Sequence, residues 1–294
     1  MLKKMSSGDR IFTLINSTIL LVIAFLMIYP LIYVLSASLS APVHIASGNI
    51  WLLPKDFTLD SYKTVFENKN ILIGYRNTIM YTILGTAINL VASVMIAYPL
   101  SRKDFYGRGI ITVIILFTMF FSGGMIPTYL LIQDLGMLDT IWAMIIPGAV
   151  SVYNVIIMRT FFQGIPDELR EAAVMDGCSN LKFLGKIVLP LSMPILAVMG
   201  LFYGVGHWNA YFDALIYLSD SHKFPLQLFL RQMLIQEDLS GMANMGGEAL
   251  SDSILKVEGL KYAVVVIASL PMLILYPFLQ KYFIKGVMIG SLKG

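Results

Sequence analysis

Six long stretches of this chain are apolar almost without interruption, and polar residues collect between them. A helix crossing a hydrocarbon core roughly 30 Å thick needs about 20 mostly apolar residues. Segments 11–37, 77–100, 109–131, 139–162, 189–218 and 262–284 meet that requirement, and none carries an acid or base near its middle. Pro30, Pro127, Pro147, Pro194, Pro271 and Pro277 fall within them, which membrane helices tolerate because neighbouring helices re-satisfy the freed backbone groups. The pattern predicts an all-α integral membrane protein with six transmembrane helices in a single domain over 1–294. The first stretch is longer than the roughly 7–15 residues of a signal-peptide core, so it is expected to stay as the first span.

Composition removes the other broad classes. Of 294 residues 57% are hydrophobic and only 13% charged, with a mean hydropathy of +0.76. A soluble domain carries about 25% charged residues, so a soluble enzyme, a disordered chain, a coiled coil and a nucleic-acid module are all poor fits. Cys178 is the only cysteine, which excludes an intrachain disulfide, and the three histidines show no metal-ligand spacing with it.

Charge assigns the sides. With the N-terminus inside, the inner segments 1–10, 101–108, 159–188 and 281–294 hold 13 of the 21 Lys and Arg. The outer segments 40–76, 132–139 and 219–261 hold eight, although they are longer in total. Arg102, Lys103 and Arg108 crowd one short loop, while 133–139 has no base. By the positive-inside rule both termini are expected in the cytoplasm. Acids run the other way, six inside and twelve outside when Asp213, toward the outer end of the fifth stretch, is counted there.

Three loops are long. Within the outer loop 40–76, Thr58 or Asp60 is placed to cap a short helix over 58–66 with Tyr62, Val65 and Phe66 on one face. Segment 237–252 is rich in Gly, Ser, Asn and acids and reads as flexible. The inner loop 163–190 is the most informative. Pro166 suits a first helical turn, and Asp167 and Glu168 suit its positive end. A helix over 166–176 is expected, with Asp167 and Arg170 paired along it and Gly177 as a cap at φ > 0. Ser179 or Asn180 then caps a second helix over 180–188, with Leu181, Leu184 and Val188 on one face and Pro190 ending it. This is a helix–turn–helix hairpin on the inner membrane surface.

In that loop Glu171, Ala172, Ala173, Asp176, Gly177, Ile187, Leu189 and Pro190 have the E-A-A-x-x-D-G…I-x-L-P spacing. It resembles the signature of bacterial ABC importer permeases, in which the loop is a coupling helix docked in a cleft of the ATPase. The resemblance covers the whole chain and is nearest to the second permease of the carbohydrate-uptake, maltose-transporter-like branch. Stretches 76–86, 97–109, 120–131 and 281–294 are similar to the subgroup for complex polysaccharide or lipoprotein-type transport, including pectin-derived oligosaccharides. The resemblance implies a type I importer permease fold in the bacterial cytoplasmic membrane. It also implies a homologous permease, two ATPase subunits that bind ATP and Mg, an extracellular solute-binding protein, and no cofactor in this chain. The tail 286–294 is expected to reach the ATPase interface on the same ground.

The chain has no G-x-x-x-x-G-K-[ST], so it has no phosphate-cradling loop of that kind, and no serine elbow or metal spacing supports enzyme chemistry. Asp213 and His207 are the only ionisable candidates for an ion-coupled sugar carrier, the alternative reading. Sugars bind through aromatic faces and hydrogen-bonding side chains. Trp208, Asn209, Tyr211 and Phe212, with Tyr153 and Asn154, are therefore candidates for the substrate path. Trp208, Tyr211 and Phe212 would share a helix face, or form an interfacial aromatic belt.

Overall fold

A computed structural model describes residues 7–242 and 258–277. Every regular element among them is helical. Two compact units emerge, Met1–Asn68 with Leu230–Ser269, and Lys69–Phe229 with Leu270–Gly294.

In the first unit α1 (Ser7–Ser38) is a single long helix. Phe12, Leu14, Leu21, Phe25, Leu26 and Met27 are all more than half exposed in the isolated chain. They lie on every side of the helix, and none of its most apolar window is buried within the chain. Its far end is fastened by serines. Ser36 Oγ donates to the Leu52 carbonyl at 2.6 Å, and Ser38 Oγ bonds Tyr62 Oη at 2.8 Å. A short helix α2 (Pro42–Ala46) follows, and Ala37, Ile45 and Ile50 form a small buried cluster. The amphipathic helix expected over 58–66 is α3 (Asp60–Glu67). Its buried face is Ser61 and Val65, with Tyr62 held by Ser38, while Phe66 stays 59% exposed instead of joining that face.

In the second unit α4 (Lys69–Ser101) is the organising helix. Asn77, Tyr81, Gly85, Asn89, Ser93 and Ala97 are buried at four-residue intervals, so one polar and small-residue stripe faces the interior. The expected third, fourth and fifth spans are not continuous helices. The third is α5 (Arg108–Phe120) and α6 (Met125–Asp134), bent by 110°. Gly124 sits at φ 90°, ψ 170°, a conformation open to glycine and costly for other residues. The fourth is a short α7 (Ile141–Ile145) and α8 (Val152–Gln163), separated around Pro147 and Gly148. Pro147 has no N–H to continue the ladder, and Ser151 restarts it by capping the Asn154 N–H at 3.4 Å.

Next come α9 (Asp167–Met175), α10 (Asn180–Leu191, with a π-helical turn over Leu184–Val188) and α11 (Met193–Trp208). Helix α10 runs through Pro190 and stops at Leu191, where it meets α11 at 82°. The widened turn lies just before the proline, so the chain absorbs the missing donor without ending there. After α11, α12 is Phe212–Tyr217 and α13 is Leu226–Met242. The region expected to be flexible from residue 237 is therefore helical to Met242, and 243–252 lies outside the described residues. The last helix, α14, is Glu258–Pro277. Residues 278–284 of the sixth expected span and the tail 286–294 lie outside them too. Among the described residues three helices are long and apolar enough to cross a membrane, Gly8–Ser38, Lys69–Ser101 and Glu258–Pro277, or up to five spans if each bent pair is one.

Candidate functional site

Helix α9 begins after Pro166 and places Asp167 and Glu168 in its first turn. Its end is set by Gly177 at φ +72°, which lets two carbonyls be capped. The Gly177 N–H donates to Val174 O at 2.9 Å, and the Cys178 N–H to Ala173 O at 2.8 Å. That pair of bonds is the Schellman arrangement. Ser179 caps the next helix by accepting from the Lys182 N–H at 3.4 Å. The expected hairpin is present.

Its two faces differ. Ala173, Phe183 and Val188 are buried in one cluster with Tyr98, Val155, Met158 and Phe162, and Ile187 and Leu189 pack at its edge. Glu171, Ala172, Asp176 and Pro190 face outward. The two alanines thus part company, Ala173 fastening the helix and Ala172 facing out. Beside Ala172 the outer face exposes Leu169, Val174, Met175 at 87%, and Leu181 at 81%. The sequence pattern puts Leu181 on one face with Leu184 and Val188 and does not single out Met175, whereas Val188 is buried and Leu181 is bare. The available signal was the apolar content of a helix whose Ala173 side was already filled. The expected pairing of Asp167 with Arg170 does not occur. Asp167 accepts from Lys103 Nζ at 2.8 Å, and Arg170 Nη2 donates to Asp104 at 2.7 Å. The loop after α4 lies close enough to take both partners.

The second group of candidates surrounds the breaks. Asn89 Nδ2 donates to the Gly148 carbonyl at 2.6 Å, and its Oδ1 lies 2.8 Å from His207 Nε2. With Nδ2 committed as a donor, Oδ1 must accept, so Nε2 carries the proton. The ring of His207 lies against Gly85 with no room for a side chain at that position. Ser93 Oγ and Tyr203 Oη are 2.6 Å apart, and Tyr203 Oη accepts from the Ser151 N–H at 3.3 Å. Both edges of the break in the fourth stretch are therefore held by side chains of α4 and α11. His207, singled out as an ion-coupling candidate, is engaged by a neutral amide.

Trp208 is 4% exposed and meets Tyr75 edge-on at 6.0 Å, and Asn154 is 6% exposed. Neither presents an open face. Tyr153, Asn209, Tyr211 and Phe212 are exposed. Trp208, Tyr211 and Phe212 do not form one helical face, because α11 ends at Trp208 and α12 starts at Phe212.

This architecture has known counterparts. The family model for the binding-protein-dependent transport system inner membrane component matches residues 89–289. Protein LplC of Bacillus subtilis is 44% identical over 289 residues, covering 98% of this chain and 97% of that protein. The polygalacturonan/rhamnogalacturonan transport system permease protein YtcP, from the same organism, is 42% identical over 286 residues, covering 97% and 99%. A solved structure of a bacterial ABC transporter involved in the import of the acidic polysaccharide alginate contains a chain that superposes with a TM-score of 0.86. That chain is 35% identical, with 96% of this chain and 99% of that one covered. The matched family stretch takes in Asn89, the break at Gly148 and the whole α9–α10 hairpin, and the chain belongs to the family of inner membrane components of binding-protein-dependent ABC transport systems.

Proposed function

We propose that this chain is one of two permease subunits of an ATP-driven oligosaccharide importer, of the maltose-transporter-like branch. On this reading the chain crosses the membrane six times, the third, fourth and fifth times by broken helices, and both termini and the α9–α10 hairpin lie in the cytoplasm. A homologous permease completes the path, two ATPase subunits bind ATP and Mg, and an extracellular solute-binding protein delivers the sugar. The names of the polygalacturonan and alginate relatives make acidic oligosaccharides, pectin-derived ones first, the substrates to test.

One observation carries the reading: a capped hairpin fastened by Ala173 and Phe183 while Leu169, Ala172, Met175 and Leu181 stay bare around Glu171. Exposed apolar side chains gathered in one patch are what a docked partner covers. Of the candidates, Glu171, Ala172 and Asp176 face the ATPase, Gly177 sets the turn, and Ala173, Ile187, Leu189 and Pro190 join the hairpin to the spans. The break around Gly148 supports a path nearby. Non-helical backbone at membrane depth is tolerated only inside protein or beside water. Tyr153, Asn209, Tyr211 and Phe212 supply rings and a hydrogen-bonding amide for a sugar.

The test is co-purification of the ATPase with the permease pair carrying Glu171→Lys, followed by hydrolysis with and without sugar-loaded binding protein. Normal membrane levels with lost association or lost stimulation are expected. Wild-type association and stimulation would reduce the hairpin to a connector.

A further inference from the structure

Asp104 and Asp167 meet Arg102, Lys103, Arg108 and Arg170 where the loop after α4 approaches α9, and the coupling role of the hairpin does not by itself require them. Asp104 accepts from Arg102 Nε at 3.0 Å and from Arg102 Nη2 at 2.9 and 3.0 Å. It also accepts from Arg170 Nη2 of α9 at 2.7 Å. Arg102 is fixed in turn. Its guanidinium lies 6.0 Å above the Tyr98 ring, and its carbonyl accepts from Arg108 Nη1 at 3.2 Å. Arg159 of α8 donates to the Leu100 carbonyl at 3.0 Å, holding the last turn of α4.

The neighbouring pair of Lys103 with Asp167 is a different kind of contact. Those side chains are 79% and 65% exposed, against 15% for Arg102, 31% for Arg170 and 54% for the Asp104 they share. An exposed lysine pair holds little geometry, whereas planar guanidinia fix a shared carboxylate in direction as well as distance. The hydrogen bonds from Arg102 keep the Asp104 carboxyl below the usual carboxylate range, so it is ionised at neutral pH.

We propose that Asp104 is a positioning residue of the coupling apparatus, linking α9 through Arg170 to the end of α4 through Arg102. The loop 102–107 is then the second half of the device whose first half is the hairpin. Without it the α9–α10 hairpin is joined to the rest of its unit chiefly through Ala173 of α9 and Phe183 of α10, an apolar contact with no preferred direction. With it, a displacement of α9 moves the C-terminal turn of α4, whose other turns hold Gly148 and His207 through Asn89.

The inference rests on the proposed docking of α9. Asp104→Asn, Asp104→Glu, Arg170→Gln and the Asp104→Asn/Arg170→Gln pair are made in the full transporter, beside Glu171→Lys. Membrane levels, ATPase co-purification, hydrolysis with and without loaded binding protein, and sugar moved per ATP are measured. Asp104→Asn should assemble normally and lower sugar per ATP about fivefold, the low end of a coupling between sites. Asp104→Glu should recover part of the loss, and the pair should be no worse than Asp104→Asn alone, since both break one link. Unchanged sugar per ATP in Asp104→Asn, or additive losses in the pair, overturns the inference. If Glu171→Lys still disrupts association or stimulation in that case, the docking of α9 stands. Wild-type behaviour of Glu171→Lys and Asp104→Asn together overturns both.

Discussion

The α9–α10 hairpin and the break at Gly148 both depend on backbone that leaves the helix, yet they are stabilised in opposite ways. The hairpin closes its own carbonyls through Gly177 and Cys178, within six residues of chain. The break is closed only in part by its own residues, Ser151 capping the Asn154 N–H. Its Gly148 carbonyl is capped by Asn89, 59 residues away, and its Ser151 N–H by Tyr203, 52 residues away. A self-capped turn can be moved as a piece. A remotely capped break can move only if α4 and α11 move with it. The difference separates a part suited to docking from a part suited to reporting the state of the whole unit.

Substitutions break this comparison at graded strengths. The largest loss is expected from Gly85→Val, whose Cβ would run into the His207 ring. Overpacking of this kind costs about 1–3 kcal/mol or more, and the backbone of two helices sets the spacing. Monodisperse yield after detergent extraction should collapse, and a normal yield would show that the ring turns aside freely. Next comes Gly177→Val. A β-branched residue at φ +72° carries a penalty of at least about 1–2 kcal/mol, equivalent to about a tenfold loss of the correctly turned hairpin. Yield should hold while substrate-stimulated hydrolysis falls by that factor, and equal losses of yield and hydrolysis would place the hairpin in the folding core. Asn89→Ala should come third. Hydrogen bonds between membrane helices are worth about 1–2 kcal/mol at most, so losing two should lower the melting temperature by several degrees, at about 2–4 °C per kcal/mol. An unchanged melting temperature would mean that the break is held by packing alone. Lys103→Ala should do least. As an exposed pair with Asp167 it should leave transport within about twofold of wild type, and a larger effect would move the coupling link from Asp104 to its neighbour.

Most of the frame was legible because its signals are local. Continuous apolar runs marked α1, α4 and α14, and Pro166, Gly177 and Ser179 marked the ends of the hairpin helices from a few residues each. What was not legible depended on distant partners. Nothing near Asp167 shows that Lys103 competes for it against Arg170, three residues on. Apolar content could not show that 139–162 and 189–218 are interrupted, because a broken span is as hydrophobic as an intact one. Trp208 and Asn154 look like sugar ligands by residue type, and only burial, of Trp208 against Tyr75 and of Asn154 on the packed side of α8, removes their open faces.

The contact between Gly85 and His207 also constrains how such a chain can change over generations. A larger residue at 85 is barred while the imidazole occupies the space, and a smaller one at 207 leaves Asn89 without its donor. Either single step is a loss, although a joint change can restore a filled, bonded interior. Positions 85, 89 and 207 should therefore drift as a linked set, with substitutions arriving in a restricted order. Lineages that crossed early would then hold different, mutually incompatible versions of the same join.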